Sequence, residues 1–513
     1  MKDGTEVLAE THHRVALVGL EPAAAAVEAL DRMAPRRVER PQTRSRLVVL
    51  TCREPAPAAV AVKGNSGGLV AALAPVMERH RGTWISGRPV AKVTGCDSPR
   101  LAEDDAPYQS VPVRYPANLH EGFYTRLSNG VLWPLYHSML HNVACSRSAD
   151  WRDYRRVNQY FAATAAEQCS RGSFVWVHDY QLSLVPQMLR DLGRGDLEIG
   201  FFLHTPFPGY DLFRTLPWAK DILRGMLAAD VIGFHTSDYR KNFCECANKL
   251  LGLSCDPDAG QLLVNGRRVQ LRVIPVGIDV QAIYKLVDDP WVRHAATRLR
   301  EQLGAGNANS KRKVLLGVDR LDYTKGIDRR LEAVDLLLER HPELRGEFVY
   351  AQIAVPSRVE IGAYQDLRSR MEQLTGQVNG RWGTEDWSPV KLLCRSYPLR
   401  ELVSWYLAAD VALVTPYRDG MNLVAKEFCA AHRDRPGALV LSELAGAAEE
   451  LTEAYLVNPY DLEGMVESIR RAMNVSEAEA QVRMERMNRC IFRRDAHSWV
   501  QRFLAGAKCF ERV

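Results

Sequence analysis

Val314-Leu315-Leu316-Gly317-Val318-Asp319-Arg320-Leu321-Asp322-Tyr323-Thr324-Lys325-Gly326 is followed by Ile327, Leu331, Val334 and Leu338 at helical spacing. An apolar run that yields to a polar turn and then to an amphipathic helix predicts a buried strand over 314–318 feeding a crossover helix. Arg320 and Lys325 then sit in the strand-to-helix turn. In open α/β sheets such turns offer free N–H groups and a helix N-terminus to an anion, and two added cations suit a diphosphate. Basic loop residues are also common on surfaces, where Asp319 and Asp322 would neutralise this pair, so the stretch alone leaves both readings open.

The same alternation extends in both directions. Leu47–Leu50, Phe174–Val177, Ile199–Leu203, Val231–Phe234 and Val269–Ile274 read as strands before Pro275-Val276-Gly277, and Val314–Val318, Phe348–Ile353, Val411–Val414 and Leu439–Leu441 read as strands after it. Short apolar strands alternating with helices predict parallel sheets covered on both faces. The fold class expected is α/β, with two doubly wound Rossmann-like domains facing a central cleft. Residues 1–45 form an N-terminal extension containing an Ala-rich helix over 21–34, residues 46–280 the first domain, 281–485 the second, and 486–513 a helical segment packing back on the first. Gly304–Lys313 reads as an exposed loop, and neither half has a Gly-x-Gly-x-x-Gly turn, which argues against a nicotinamide enzyme.

With 513 residues the chain can bury more than one core. Its 67 basic and 62 acidic residues leave a net charge of +5, which suits anionic small molecules better than a nucleic-acid surface. No apolar run approaches the ~20 residues of a membrane-spanning helix. Eleven cysteines without metal-ligand spacing predict reduced thiols in a cytoplasm, and residues 1–45 lack the order of a signal peptide. Asp256-x-Asp258 lies in a loop away from the strand ends, so no metal is assigned. The oligomeric state is left open, a homo-oligomer included.

Other strand ends carry chemistry of the same kind. Asp419-Gly420-Met421-Asn422-Leu423-Val424-Ala425-Lys426-Glu427 follows the strand at 411–415 and opens a helix. Gly420 permits a tight turn, the helix start presents N–H groups, and Glu427 can accept from vicinal ribose hydroxyls. A plain Asp turn with solvated Lys426 and Glu427 would read the same way. His178-Asp179-Tyr180 and His204-Thr205-Pro206 end neighbouring strands of the first domain and face the expected crevice. Arg53 and Arg358 each follow a strand and could grip a phosphate bidentately, while Ser66-Gly67-Gly68-Leu69 could let the backbone approach a ligand.

Taken together, Ser-Asn-Gly-Val-Leu-Trp-Pro at 128–134, Val-Trp-Val-His-Asp-Tyr at 175–180, Gly-Phe-Phe-Leu-His-Thr-Pro-Phe-Pro at 200–208, Asp-Arg-Leu-Asp-Tyr-Thr-Lys-Gly at 319–326 and Asp-Gly-Met-Asn-Leu-Val-Ala-Lys-Glu at 419–427 resemble the trehalose-6-phosphate synthase family of retaining GT-B glycosyltransferases, over roughly residues 46–510. The resemblance implies transfer of glucose from a nucleotide-glucose, UDP- or GDP-glucose, to glucose 6-phosphate, giving α,α-trehalose 6-phosphate with retention and without a cofactor. It makes the first domain the acceptor side and the second the nucleotide-sugar side. By resemblance, Arg320 and Lys325 bind the donor diphosphate, Gly67 and Gly68 approach it, Leu423, Val424, Ala425, Lys426 and Glu427 hold the nucleotide end, and Asp419 and His204 grip the donor sugar. Arg53, Tyr124, Asp179 and Arg358 match the acceptor contacts, and Trp133 an anomer-selecting wall.

This sequence departs from the family pattern on the acceptor side. Thr51-Cys52-Arg53 stands where Ser-Asn-Arg is usual, Gln181 replaces a second His, and Thr125 and Arg126 follow Tyr124. These changes keep in view a relative acting on another sugar-phosphate or cyclitol acceptor. A non-catalytic sugar-phosphate sensor would be expected to lose Arg320, Lys325 or Glu427, and all three are present. A departing nucleoside diphosphate builds negative charge on phosphate oxygens, which fixed cations stabilise. No carboxylate pair of the retaining-glycosidase kind is evident, which favours front-face transfer.

Overall fold

A computed structural model of the protein describes residues 47–53, 68–91, 108–306, 312–358 and 362–507. The expected helix over 21–34 and residues 307–311 of the expected loop lie outside them. The first sheet is built from β1 (Leu47–Thr51), β2 (Thr83–Val90), β3 (Gln109–Pro116), β4 (Phe174–His178), β5 (Glu198–Phe202), β6 (Val231–Phe234), β7 (Cys255–Asp256), β8 (Gln261–Val264) and β9 (Arg267–Val273), in the order β3-β2-β1-β4-β5-β6-β9-β8-β7. It is parallel except where β8 pairs antiparallel with β7 and β9 at one edge. The second is built from β10 (Lys313–Arg320), β11 (Phe348–Val355), β12 (Val390–Leu393), β13 (Val411–Val414), β14 (Ala438–Ser442) and β15 (Tyr455–Val457). All its pairs are parallel, in the order β12-β11-β10-β13-β14-β15. Every residue of β1, β4 and β13 is buried, as expected for strands covered on both faces.

Each sheet reverses its winding once, between β1 and β4 in the first and between β10 and β13 in the second. Ligands of doubly wound sheets bind in the crevice at such switch points. Strands β2, β3, β12 and β15 are not legible as strands in the sequence. Thr83–Val90, for example, carries Gly87, Arg88 and Pro89 in its exposed half, which masks the periodicity.

The domain limits differ from those read in the sequence. Val280–Asp288 is one helix, capped by Asp279, whose carboxylate accepts from the Ala282 N–H at 2.9 Å. It packs on the helices Leu399–Ala408 and Leu423–Ala431 of the second domain, so the boundary lies in the extended residues 274–278 rather than at 280/281. The cut at 485/486 falls inside the continuous helix Glu477–Arg493, whose buried Ala480, Met484, Met487 and Ile491 share one face. Asn488 of that helix donates to the Cys429 carbonyl at 2.8 Å in the second domain. The chain crosses only after Arg493, and the helix Ala496–Leu504 lays Trp499 and Phe503 against Trp176 and Phe202 of the first sheet.

The two crossings run side by side. The Ala496 N–H donates to the Ile278 carbonyl at 3.0 Å, and a Cβ on Gly277 would lie 2.2 Å from the Arg494 oxygen, so glycine is required there. The Lys426 ammonium, 1% exposed, donates to the Val276 carbonyl at 2.7 Å and pairs with Glu450, which also holds Arg494 at 3.1 Å. Removing one partner of a buried ion pair strands the other. Lys426→Ala is therefore expected to destabilise the protein by about 3–5 kcal/mol, and Lys426→Met with Glu450→Leu by much less, measured by urea unfolding.

Candidate active site

The carboxyl ends of the two sheets face each other across a cavity of about 630 Å³. Arg53 follows β1, Asp179 follows β4 and His204 follows β5. From the opposite side come Arg320 at the end of β10, Lys325 in the turn after it, Arg358 beyond β11 and Asp419 beyond β13. Residues spread over more than 360 positions of sequence are thus brought to one cleft by the two switch points.

On the second-domain side every cation is held by a carboxylate. Asp322 has no solvent exposure and lies 3.5 Å from both Arg320 and Arg358. Burial by itself would raise its carboxyl, but Arg320, Arg358, Lys325 and the Thr324 N–H outweigh that and hold it at about 2. Lys325 Nζ lies 2.5 Å from Asp419, which also accepts from the Asn422 amide at 3.0 Å. Asp319, placed in the same turn, is not spent on Arg320 or Lys325, for it pairs with the fully buried Arg330.

Trp133 lines the cleft between these cations. The guanidinium of Arg358 lies 4.2 Å from its ring centroid and that of Arg320 5.2 Å. Arg358 donates to the Tyr364 hydroxyl at 2.5 Å, yet its Nε is buried without a partner, as is the indole Nε1 of Trp133. Arg53 donates from Nε to the Tyr124 hydroxyl at 3.0 Å, and it is near enough to Arg358 for the two charges to repel.

Tyr124 and Trp133 share a face for a reason that periodicity alone does not show. Residues Glu121–Leu132 form a π-helix, in which the Trp133 N–H reaches the Ser128 carbonyl. Nine residues span about 2.5 turns of α-helix and would put the two rings on opposite sides, whereas in the wider π turn they span about two. Side chains support the widened turns: Ser128 donates to the Phe123 carbonyl at 2.7 Å and Asn129 to the Tyr124 carbonyl at 2.8 Å.

Six non-glycine residues have positive φ among the described residues, and three of them line or border this cavity: Asp179 at 72°, Arg358 at 49° and Asn422 at 74°. Asp179, with ψ of 167°, occupies a region nearly restricted to glycine. Its carboxyl is pushed up to about 6 by burial, against the opposing pull of the Tyr180 and His204 N–H groups and of Arg358. In the Asp419 turn the strained position is Asn422, and Gly420 is needed for close approach rather than for a positive φ. A Cβ there would lie 2.0 Å from the His204 oxygen of the other domain.

His178 Nδ1 and His204 Nε2 lie 3.0 Å apart, and the His204 ring also meets that of His235. Burial pushes all three imidazoles far down, His204 to about 3, so they are neutral near pH 7. Leu423, Val424 and Glu427 line the cavity. Ala425 and Lys426, turned about 100° per residue around the same helix, are buried away from it, and Lys426 is consumed by Glu450 and the linker. Their side chains do not line the cavity, and their place in the donor-binding set still rests on resemblance. Gly67 lies outside the described residues and Gly68 opens the helix Gly68–His80, so their assignment still rests on resemblance.

The departures in sequence have structural partners. Thr51 accepts from the Trp84 indole at 2.8 Å and donates to the Arg53 carbonyl at 2.7 Å, which fixes the loop carrying Arg53. Arg126 is spent on Glu121 and on Asp150 at 2.6 Å. The Asp256 carboxylate accepts from the Asp258 N–H at 2.9 Å. Among the described residues no group of three or more His, Cys, Asp or Glu could hold a metal ion, and no helix is long and apolar enough to cross a membrane.

Residues 43–508 match the family described as glycosyltransferase family 20. The chain is 42% identical to the trehalose-6-phosphate synthase of Mycobacterium avium over 451 residues, 86% of this chain and 90% of that one. It is equally identical to that of Mycobacterium tuberculosis strain H37Rv over 460 residues, 87% and 90% of the respective chains. Its fold is similar to the Escherichia coli protein bound with UDP-2-fluoro glucose, with a TM-score of 0.82 and 33% identity over 90% of this chain and 98% of that one. It is also similar to the UDP-forming α,α-trehalose-phosphate synthase of Burkholderia xenovorans in complex with glucose-6-phosphate, with a TM-score of 0.81 and 31% identity over 90% and 100%.

Glu427 has a cost that can be measured. Burial pushes its carboxyl up from 4.5 to about 7, with a 2.7 Å hydrogen bond from Tyr406 opposing. Between those values the folded protein holds a proton that the unfolded chain has lost, so stability declines as pH rises from about 4.5 to about 7. Glu427→Gln is expected to be more stable than the native protein at pH 8 by about 1–3 kcal/mol, after allowance for partial exposure, and no more stable at pH 4.5. Urea unfolding at the two pH values tests this.

Proposed function

Because the chain belongs to glycosyltransferase family 20, we propose that it transfers glucose from a nucleotide-glucose to glucose 6-phosphate, forming α,α-trehalose 6-phosphate and a nucleoside diphosphate. The observation that carries this reading is the convergence of four cations on one cleft, Arg53 from the first domain and Arg320, Lys325 and Arg358 from the second, which suits two phosphorylated substrates. UDP-glucose is the donor to test first, since a relative of similar fold is bound with UDP-2-fluoro glucose. GDP-glucose is the second.

Arg320 and Lys325 meet the diphosphate, and their charge matters most when the glycosyl bond breaks and negative charge grows on the leaving oxygens. Glu427 accepts from ribose hydroxyls, while Leu423 and Val424 line the nucleotide end. Asp419 and His204 hold the transferring sugar. Asp419, Asp322 and Asp319 are all committed to cations, and a carboxylate so held is a weak nucleophile. This supports retention by front-face transfer, in which the leaving phosphate takes the acceptor's proton and no glycosyl-enzyme forms. Asp179 and Tyr124 position the acceptor. Arg126, one of the departing residues, is spent away from the phosphate-binding arginines, which favours glucose 6-phosphate over an altered acceptor.

Arg320→Ala or Lys325→Ala is expected to lower kcat by about 100- to 1000-fold with little change in acceptor KM. Near-normal turnover in both variants would remove them from the diphosphate site. Unphosphorylated glucose should have kcat/KM lower by at least ~1000-fold, since two charge-assisted contacts are lost. Arg358→Ala should narrow that preference. Product identified by mass and anomeric coupling, from a panel of nucleotide-glucoses with glucose and glucose 6-phosphate, measures each quantity. Comparable use of the two acceptors by the native protein would overturn the reading.

A further inference from the structure

His137 lies outside the sequence motifs and has no part in the chemistry proposed for the cleft. It sits one α-turn beyond Trp133, buried, with its ring 4.1 Å from the indole and one edge on the cavity. Its Nδ1 is 2.7 Å from the Trp133 carbonyl oxygen. A carbonyl only accepts, so Nδ1 carries the proton. In a neutral ring Nε2 is then a bare acceptor. Burial keeps the ring neutral near pH 7 by pushing its pKa down to about 4.

No hydrogen bond to Nε2 is formed among the described residues, and Nε2 is not among the buried atoms left without a partner. The lone pair therefore opens onto the cavity. The groups whose charges act on this ring are Asp419, Lys325 and Asp322, which places it beside the proposed sugar and diphosphate positions. The proposed sugar subsite otherwise has Asp419 from the second domain and His204 from the first. A fixed-tautomer acceptor is what distinguishes a hydroxyl from a hydrogen or fluorine at one carbon, because neither of those can donate.

Resting on the transfer reading, we propose that His137 is a specificity-determining residue of the donor site, its Nε2 accepting a hydrogen bond from one hydroxyl of the hexosyl group being transferred. Trp133 sets this by clamping Nδ1. Nucleotide-glucose would be selected over its deoxy or epimeric counterpart at that carbon, since a donor lacking the hydroxyl leaves Nε2 desolvated without a partner.

The test pairs single-position deoxy and fluoro analogues of the nucleotide-glucose, at sugar carbons 2, 3, 4 and 6, with native protein and His137→Phe. Phenylalanine keeps the ring on Trp133 and removes the acceptor. The native protein should lose about 10- to 100-fold in kcat/KM at each hydroxyl that the site reads. In His137→Phe the loss at one position should shrink to within about twofold, with the other positions unchanged, and His137→Gln should restore part of it. In native protein carrying 15N-labelled histidine, the Nε2 resonance missing from His137→Gln should shift on binding the full donor and not the analogue lacking that hydroxyl. The second measurement stands even if His137→Phe fails to fold. Turnover of the donor by the native protein with the same four losses in His137→Phe, or an Nε2 resonance indifferent to every analogue, overturns the role of His137 alone. No turnover of any nucleotide-glucose by the native protein overturns the transfer reading, and this inference with it.

Discussion

Asp322 is a carboxylate without solvent exposure, and its ionised form is held chiefly by Arg320 and Arg358, each 3.5 Å away, with Lys325 and the Thr324 N–H adding to them. The same contact works in the other direction, holding two guanidiniums that would otherwise repel each other over the Trp133 ring. On the transfer reading proposed above, the site must concentrate positive charge before either phosphorylated substrate arrives. Buried carboxylates behind the cations make that tolerable, and Asp419 does the same for Lys325. On that reading, bound phosphates would share the cations with the carboxylates behind them, and no large rearrangement of charge would be needed at the moment of bond cleavage.

The cleft also depends on how closely the domains approach. Gly420 lies so near the His204 carbonyl that no side chain fits between them, and the Tyr239 hydroxyl reaches across to donate to the Asp419 carbonyl at 3.0 Å. At the hinge, residues 274–278 and the crossing after Arg493 run together, tied by Lys426, Glu450 and Arg494. Two chain crossings restrict relative motion of the domains more than one would. Backbone strain is concentrated in the same place, at Asp179, Arg358 and Asn422, where the chain adopts conformations that cost of order 1–3 kcal/mol each to aim a side chain.

Local pattern is sufficient for the architecture. The apolar runs at 314–318, 348–353 and 411–414, each followed by a polar turn, dictate parallel strands because only burial on both faces stabilises such runs. Polar residues immediately after those runs must lie at carboxyl strand ends, so the order of residues alone assigns Arg320, Lys325, Arg358, Asp419, Asp179 and His204 to a crevice, and all six line it. Strands at or next to the sheet edges escape such a reading where partial exposure dilutes the apolar pattern, as in Thr83–Val90, the neighbour of the edge strand β3.

What the chain determined by itself was therefore the succession of elements and the chemistry at their ends, since both follow from interactions within a few residues. Tertiary structure decided the rest. The π-helical turn that brings Tyr124 and Trp133 to one face is held by Asn129, whose side-chain oxygen also accepts from the Tyr180 hydroxyl at 3.0 Å, 51 residues away. Lys426 and Glu427 are adjacent in sequence, yet one faces the hinge and the other the cleft, because helix rotation and the position of Glu450 separate them. His137 became an acceptor only through its place above Trp133 and beside Asp419. Partner choice, burial and tautomer are properties of long-range packing, and a sequence read locally carries no measure of them.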